Sequence, residues 1–376
     1  NTPAKKAEPV LDIRKVEISG GIPLIVREDH RLPFVYVCAA LRGGLLSETE
    51  KNNGITQLMS DLLTRGTRKR SSQDIAKKVE NLGGYLSAFC GRNSFGLQAR
   101  CLSSDVDTFM ELFSDCLMNP TFPAGEVEKQ REVQLASIRQ QREQPTFVAE
   151  EALRQILFPG HPYRWTPLGS RGTVERIARQ DLADYHARAL GAGNLVLSIF
   201  GDITAADATR LADRYFKKFP DKAVDFPSHP LPVPALPART KSREPRQQTI
   251  LMVGYPGVDL KDPRMDALAV LGNALNGLSS DLLIEVRDKR GLVYFIGAFN
   301  RPGLEPGAFA LYAGTREEAA GEVERLIGKE LARLSTEGLR EEEWLRAREQ
   351  LITDFEMSLQ NNADLAQTCA LNELYR

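Results

Sequence analysis

Only four histidines occur in the 376 residues, His30, His161, His186 and His229, and no two lie close enough in sequence to share one helix face. A catalytic zinc needs three protein ligands, commonly with two imidazoles one helical turn apart, and no pair here has that spacing. The five cysteines, Cys38, Cys90, Cys101, Cys116 and Cys369, lack a Cys-x-x-Cys spacing and are odd in number, which points away from a zinc knuckle or a complete disulfide framework. They read as small core residues. No Gly-x-Ser-x-Gly elbow and no Cys/His pairing supplies a nucleophile. His161 reads as a capped loop histidine, and His186 as a helix residue without a catalytic part. The polar residues that do share a surface are Gln57, Ser60 and Asp61, in the segment GITQLMSDLLTRGT. Ile55, Leu58, Met59, Leu62 and Leu63 form the apolar stripe of that helix, and the three polar residues fall on its opposite face.

The elements that must position such residues follow from composition and pattern. With 42% hydrophobic and 26% charged residues, the chain has the makeup of an ordinary globular protein, long enough for two cored domains. Lys+Arg 49 against Asp+Glu 50 leaves a net charge of -1, so no global field favours nucleic acid or an anionic membrane. No run reaches the ~20 apolar residues of a membrane-spanning helix. The opening NTPAKKAEPVL lacks the apolar core of a signal peptide, although a spacer left after removal of an export signal fits it equally. A soluble mature chain is expected.

Proline-rich sequence from Phe219 to Pro245 excludes helix and central strand and reads as a semi-extended linker. On each side, strand-like runs alternate with amphipathic helices, and the two sides rhyme. LPFVYVCAAL, a polar loop, two helices and GYLSAFC precede the linker; QTILMVGYP, a polar loop, two helices and GLVYFIGAF follow it. Ser71 and Asp74 form a capping box, and Gly91-Arg92-Asn93 reads as the turn of a hairpin. Glu126 to Glu143 reads as one long helix ended by Pro145, and 317–334 and 340–360 as helices separated by Gly338. The expected fold class is therefore α+β, in two duplicated domains over residues 1–218 and 247–376, joined by 219–246. The second copy reads as truncated at its end, since the sequence stops on a helical pattern at Arg376.

The segment RGGLLSETEKNNGITQLMSDLLTRGT resembles the M16 zinc peptidase family, the pitrilysin and mitochondrial processing peptidase group, where a strand, a loop and a helix carry His-x-x-Glu-His. Laid over that pattern, Gln57 stands at the first His, Ser60 at the Glu and Asp61 at the second His. In EVEKQREVQLASIRQQ, Ser137 stands at the remaining metal ligand and Gln130 at its supporting Glu. HPYRWTPLGSRGTVERIARQDLADYHARALGAGNLVLSIFGDI extends the resemblance through the first unit, ending on a strand that closes with Gly-Asp. NGLSSDLLIEVRDKRGLVYFIGAF resembles the family's helix entry followed by an Arg, six residues and a Tyr, which places the pair at Arg287 and Tyr294, with Asn276, Gly277 and Ser279 at the entry loop. On residue type alone, Arg287 is a base in the last turn of a helix and Tyr294 an amphipathic strand residue.

The resemblance implies two domains, each a mostly antiparallel sheet packed with helices. It implies that this chain is an M16B-type subunit of a heterodimeric metallopeptidase, with no metal or other cofactor of its own and inactive by itself. A partner subunit with His-x-x-Glu-His would carry the zinc. Arg287 and Tyr294 would then be substrate-binding residues, donating hydrogen bonds to the peptide backbone or to negative charge developing on a carbonyl under attack. Unfolded peptides are the implied substrates and the periplasm the implied location, with the cytoplasm as the other choice. The alternative reading is a non-enzymatic structural or peptide-binding homologue resembling respiratory-complex core proteins.

Overall fold

The computed structural model describes residues 12–243, 248–277 and 280–376. The opening stretch 1–11, Pro245 and Ser279 lie outside the described residues. Strands β1 (Ile13–Ile18), β2 (Ile22–Glu28) and β3 (Phe34–Arg42) lead into α1 (Ile55–Leu62) and α2 (Ser72–Asn81). The hairpin of β4 (Tyr85–Cys90) and β5 (Ser94–Leu102) precedes α3 (Val106–Met118), α4 (Ala124–Arg142) and α5 (Pro145–Leu157). The short α6 (Arg171–Val174), α7 (Arg179–Ala189), β6 (Leu195–Gly201) and α8 (Ala205–Phe216) follow. From Pro220 to Arg243 the chain forms neither helix nor strand. Then come β7 (Thr249–Pro256), α9 (Met265–Ala274), and the single-turn α10 (Asp281–Leu283), which runs into a π-helical turn at Ile284–Asp288. Strands β8 (Val293–Arg301) and β9 (Ala308–Thr315) and helices α11 (Ala320–Glu337), α12 (Glu341–Ser358) and α13 (Asn362–Leu374) complete the chain. Among the described residues, no helix is long and apolar enough to cross a membrane.

The six-stranded sheet has the order β1-β2-β6-β3-β5-β4, and the three-stranded sheet β7-β9-β8. All pairings are antiparallel except β2 with β6. The order β3-β5-β4 recurs as β7-β9-β8, with two helices between the first and second strands of each trio; after the third come α3–α5 in one, followed by α6 and α7, and α11–α13 in the other. The duplication seen as a rhyme is thus a repeated topology.

Both faces of the central strands are covered, which explains their nearly unbroken apolar runs. In β3, Val35, Val37, Ala39 and Leu41 pack into the core beneath α1, α3 and α8, while Cys38 and Ala40 point to the other face. That second face is sealed by α13, through Leu365, Ala366 and Ala370, with the Ser198 hydroxyl donating to Ala366 O at 2.8 Å. The arrangement is reciprocated. Helix α5 of the first half covers β7 and β9 of the second, with Leu153 and Leu157 against Ala308 and Ala310. Gly254 on β7 is required there, because a Cβ would come within 2.6 Å of Leu153 Cδ1. Each half therefore lends its last shared helix to the other's sheet. Pro145, expected to end a helix, also starts α5 as its first residue, where the missing N–H costs nothing.

Candidate functional site

Helix α1 is held by its buried stripe. Leu58, Met59 and Leu62 are inaccessible to solvent, each worth roughly 1.5–3 kcal/mol of transfer free energy. Its N-terminus is pinned by a residue that the motif comparison passed over. Glu48 is buried and accepts hydrogen bonds from Asn53 Nδ2 (2.8 Å), Gly54 N (3.0 Å) and Thr56 N (3.1 Å). Burial pushes its carboxyl up against these hydrogen bonds. The available signal was an acid shortly before a glycine-initiated helix, which complements the unpaired first-turn N–H groups.

On the opposite side of α1, the Asp61 carboxylate accepts from Gln57 Nε2 and from Gln130 Nε2 of α4, both at 3.0 Å on Oδ2. Burial raises the Asp61 carboxyl, and the two amides and Arg65 act to lower it. Ser60 is fully buried and donates to Thr56 O at 2.7 Å. Ser137, two turns beyond Gln130, is half-buried and donates to Val133 O of its own helix at 3.0 Å. Gln134, between them, bridges Gly54 O (3.0 Å) and Leu168 O (2.8 Å). Of the five positions, Gln57, Asp61 and Gln130 are joined across α1 and α4 as an amide-capped carboxylate, whereas Ser60 and Ser137 each bond to their own helix. Cys90 on β4 is close by, and burial, then the charges of Glu48 and Asp61, push its thiol well up, away from the thiolate that binds metal.

This donor set does not fit zinc. Two amides, two hydroxyls bonded to their own helices, a protonated thiol and one carboxylate with an occupied oxygen fall short of three ligands. Among the described residues, no three His, Cys, Asp or Glu side chains are grouped to hold a metal ion. Protein dialysed from zinc-containing buffer is expected to retain far less than one zinc per chain by elemental analysis. Stoichiometric zinc that disappears in Asp61→Asn would overturn this.

The second candidate pair sits on irregular backbone. Arg287 lies exposed in the π-helical turn, a distortion frequent at functional sites, and its carbonyl accepts from Gly291 N at 2.9 Å. Tyr294 is the residue skipped by the ladder: Val293 pairs with Thr315 and Phe295 with Gly314, leaving Tyr294 in a bulge on the edge strand β8. A bulge re-aims its side chain, and Tyr294 is 61% exposed. Asn276 has a supporting place. Its Nδ2 donates to Gly272 O and Ala298 O, both at 2.7 Å, and its Oδ1 accepts Ala298 N at 3.0 Å, so it caps the open edge of β8. Gly277 follows with φ of +87°. Among the described residues, no hydrogen bond or ion pair joins Arg287 or Tyr294 to the Asp61 cluster.

His161 joins the two halves. Its Nδ1 accepts from Tyr163 N at 3.1 Å and its Nε2 meets Glu305 of the β8–β9 loop at 2.5 Å. His186 is buried against Phe122, and its Nε2 donates to Leu117 O at 2.8 Å.

Family models give these sites a context. A model described as Insulinase (Peptidase family M16) matches residues 24–169, and one described as Peptidase M16 inactive domain matches 176–351. A protein named "Uncharacterized zinc protease" from Rickettsia felis is 25% identical over 346 residues, covering 91% of this chain and 82% of that protein. The human mitochondrial-processing peptidase subunit beta is 24% identical over 359 residues, covering 91% and 72%. Among solved structures, a peptidase M16 inactive domain from Pseudomonas fluorescens superposes with a TM-score of 0.86 at 24% identity, covering 97% of this chain and 88% of that one. A chain of complex III2 from Candida albicans does so with a TM-score of 0.78 at 18% identity, covering 96% and 86%. At these identities the superpositions speak for the fold alone. Two α+β domains of this architecture, matched along most of their length by both family models, place the chain in the M16 peptidase family.

Proposed function

We propose that this chain is the non-zinc-binding subunit of a heterodimeric M16 peptidase, in which a partner bearing His-x-x-Glu-His supplies the metal and this chain supplies substrate contacts through Arg287 and Tyr294. The observation that carries the reading is a contrast between two sites. The metal-ligand positions hold Gln57, Ser60, Asp61, Gln130 and Ser137, tied up in internal hydrogen bonds. The Arg/Tyr pair, by contrast, is exposed on a π turn and a bulge and spends no side-chain hydrogen bond on the described fold. A long guanidinium and a phenol left unpaired on distorted backbone suit a ligand better than they suit stability. Arg287 can hold a peptide carbonyl, and the Tyr294 hydroxyl can donate to an oxygen gaining negative charge. The homologue named mitochondrial-processing peptidase subunit beta is by that name part of a multi-subunit enzyme, which agrees with a paired role.

The test is a fluorogenic peptide assay with this chain alone, a zinc-bearing M16 subunit alone, and the mixture. Cleavage is expected to rise on mixing and to be absent with this chain alone. Chelator-sensitive cleavage by this chain alone would overturn the proposal.

A further inference from the structure

A cavity of about 410 Å³ lies where α5 and the end of α4 meet β8, and its charged lining is Arg92, Arg154, Arg301 and a single acid, Glu150. Arg154 donates to Glu150 Oε1 at 2.7 Å, and Arg301 meets the same oxygen. One carboxylate thus serves two guanidiniums, and Arg92 adds a third, whose hydrogen bond among the described residues goes to a backbone carbonyl, that of Arg301 at 3.3 Å. Glu151, the next acid along α5, is engaged by Arg142. Burial, then mutual repulsion, lowers the affinity of Arg92 for its proton, and burial also does so for Arg154. Nε and Nη2 of Arg154 are buried with no hydrogen-bond partner among the described residues. The N-terminus of α5, whose N-cap Gln144 makes no side-chain cap, adds positive potential at the same place.

The free hydrogen-bonding edges point to the ligand's shape. Arg92 and Arg301 each commit Nη1 to the protein, and among the described residues no acceptor meets their Nε and Nη2. That Nε/Nη2 edge is the one by which Arg14, Arg31, Arg131, Arg264 and Arg333 grip both oxygens of a neighbouring carboxylate in this same chain. The guanidiniums are also braced by rings: Arg92 over Tyr163 at 4.1 Å, Arg301 over Phe299 at 4.8 Å and Arg154 over Phe147 at 5.4 Å. Braced forks lose little entropy on binding. We infer that this cavity is a carboxylate-binding site, taking the acidic side chain of a bound peptide or a small free carboxylic acid between Arg92 and Arg301. The peptide source rests on the function proposed above, but the binding itself needs no partner subunit.

The experiment is isothermal titration of the isolated full chain at low salt with four probes: a blocked pentapeptide with one central Glu between Leu and Phe, its Gln counterpart, glutarate, and inorganic phosphate. The Glu peptide is expected to bind at least about tenfold tighter than the Gln peptide, and a carboxylate tighter than phosphate. If glutarate matches the Glu peptide, a free acid is the ligand; if only the peptide binds, the apolar flanks contribute and a peptide is. Arg301→Gln, at a half-exposed side chain, should weaken the Glu peptide about tenfold, whereas Glu150→Gln, which removes the competing carboxylate, should tighten it. These opposite signs separate a ligand site from a structural ion cluster, with thermal unfolding of each variant confirming that it folds. Equal binding of Glu and Gln peptides, preference for phosphate, no binding at millimolar concentration, or weakening by both variants would each overturn the inference. Because no cleavage is measured, failure here leaves the heterodimer proposal standing, and failure of that proposal leaves this one.

Discussion

Replacing Tyr294 by Phe is expected to lower kcat of the reconstituted pair by about ten- to a hundredfold while KM changes little. The substitution deletes one hydroxyl and leaves no cavity, because the ring stands in a bulge on an edge strand and is 61% exposed. Only a hydrogen bond that strengthens as charge develops on the substrate affects kcat selectively. Losses of roughly 2.7–4 kcal/mol are known for oxyanion donors in enclosed sites, and an open strand edge sets the expectation at about 1.4–2.7 kcal/mol. Arg287→Ala should instead raise KM, since a guanidinium holding substrate backbone acts in ground and transition states alike. Neither residue makes a side-chain hydrogen bond in the described fold, so thermal stability should move by no more than the ~0.5 kcal/mol typical of surface substitutions. Steady-state kinetics of the pair, with sedimentation to confirm assembly, decides the matter. If both variants assemble and cleave at the parental rate, the pair is structural and a non-enzymatic scaffold becomes the better account of this chain.

The second large effect concerns acid stability. His186 is buried on α7, donating to a backbone carbonyl, and burial holds its folded pKa down at about 4 against an ordinary 6.5. The unfolded chain therefore binds the proton more readily between those values. Stability contributed by the neutral ring is fully present above pH 6.5, falls as pH drops through that window, and levels off below about 4. At 1.36 kcal/mol per pH unit, the fall is on the order of 3 kcal/mol, a large part of a typical domain's stability. His161, also lowered chiefly by burial, adds to it in the same direction. The Asp29 carboxylate, paired with Arg31, is held well below its ordinary 3.8 and gives way only in stronger acid, outside this window. Urea unfolding at pH 7, 5.5 and 4.5 should trace the decline. His186→Gln, whose amide can still donate to Leu117 O, should flatten most of it at some cost at pH 7. Because the raised carboxyls of Glu48 and Asp61 act in the opposite direction, the comparison is with the variant: the same change in stability between pH 7 and 4.5 in wild type and His186→Gln would refute this assignment.

The amino-acid sequence by itself determined the α+β class, the repeated run of elements and the absence of His and Glu at the positions that the resemblance lays over the family's metal ligands. These are local properties. The stripe through Ile55, Leu58, Met59 and Leu62 specifies a helix with one buried face, and Gln57 and Asp61 one turn apart must share the other. The capping box at Ser71 and Asp74 and the β4–β5 turn are likewise short-range, and both form where their residues predict. The family resemblance also marked Arg287 and Tyr294. It did not reveal that one stands in a π turn and the other in a bulge, because a bulge exists only relative to the partner strand, here β9. Nor was it legible that α5 and α13 change halves. An amphipathic pattern says that a face is buried and is silent on which sheet buries it. The continuous apolar runs of β3 and β6 hinted at covers on both faces without naming them. The three-arginine cavity depends wholly on that exchange. Arg92, Glu150 with Arg154, and Arg301 come from β4–β5, α5 and β8, and they meet only because α5 lies across the second sheet.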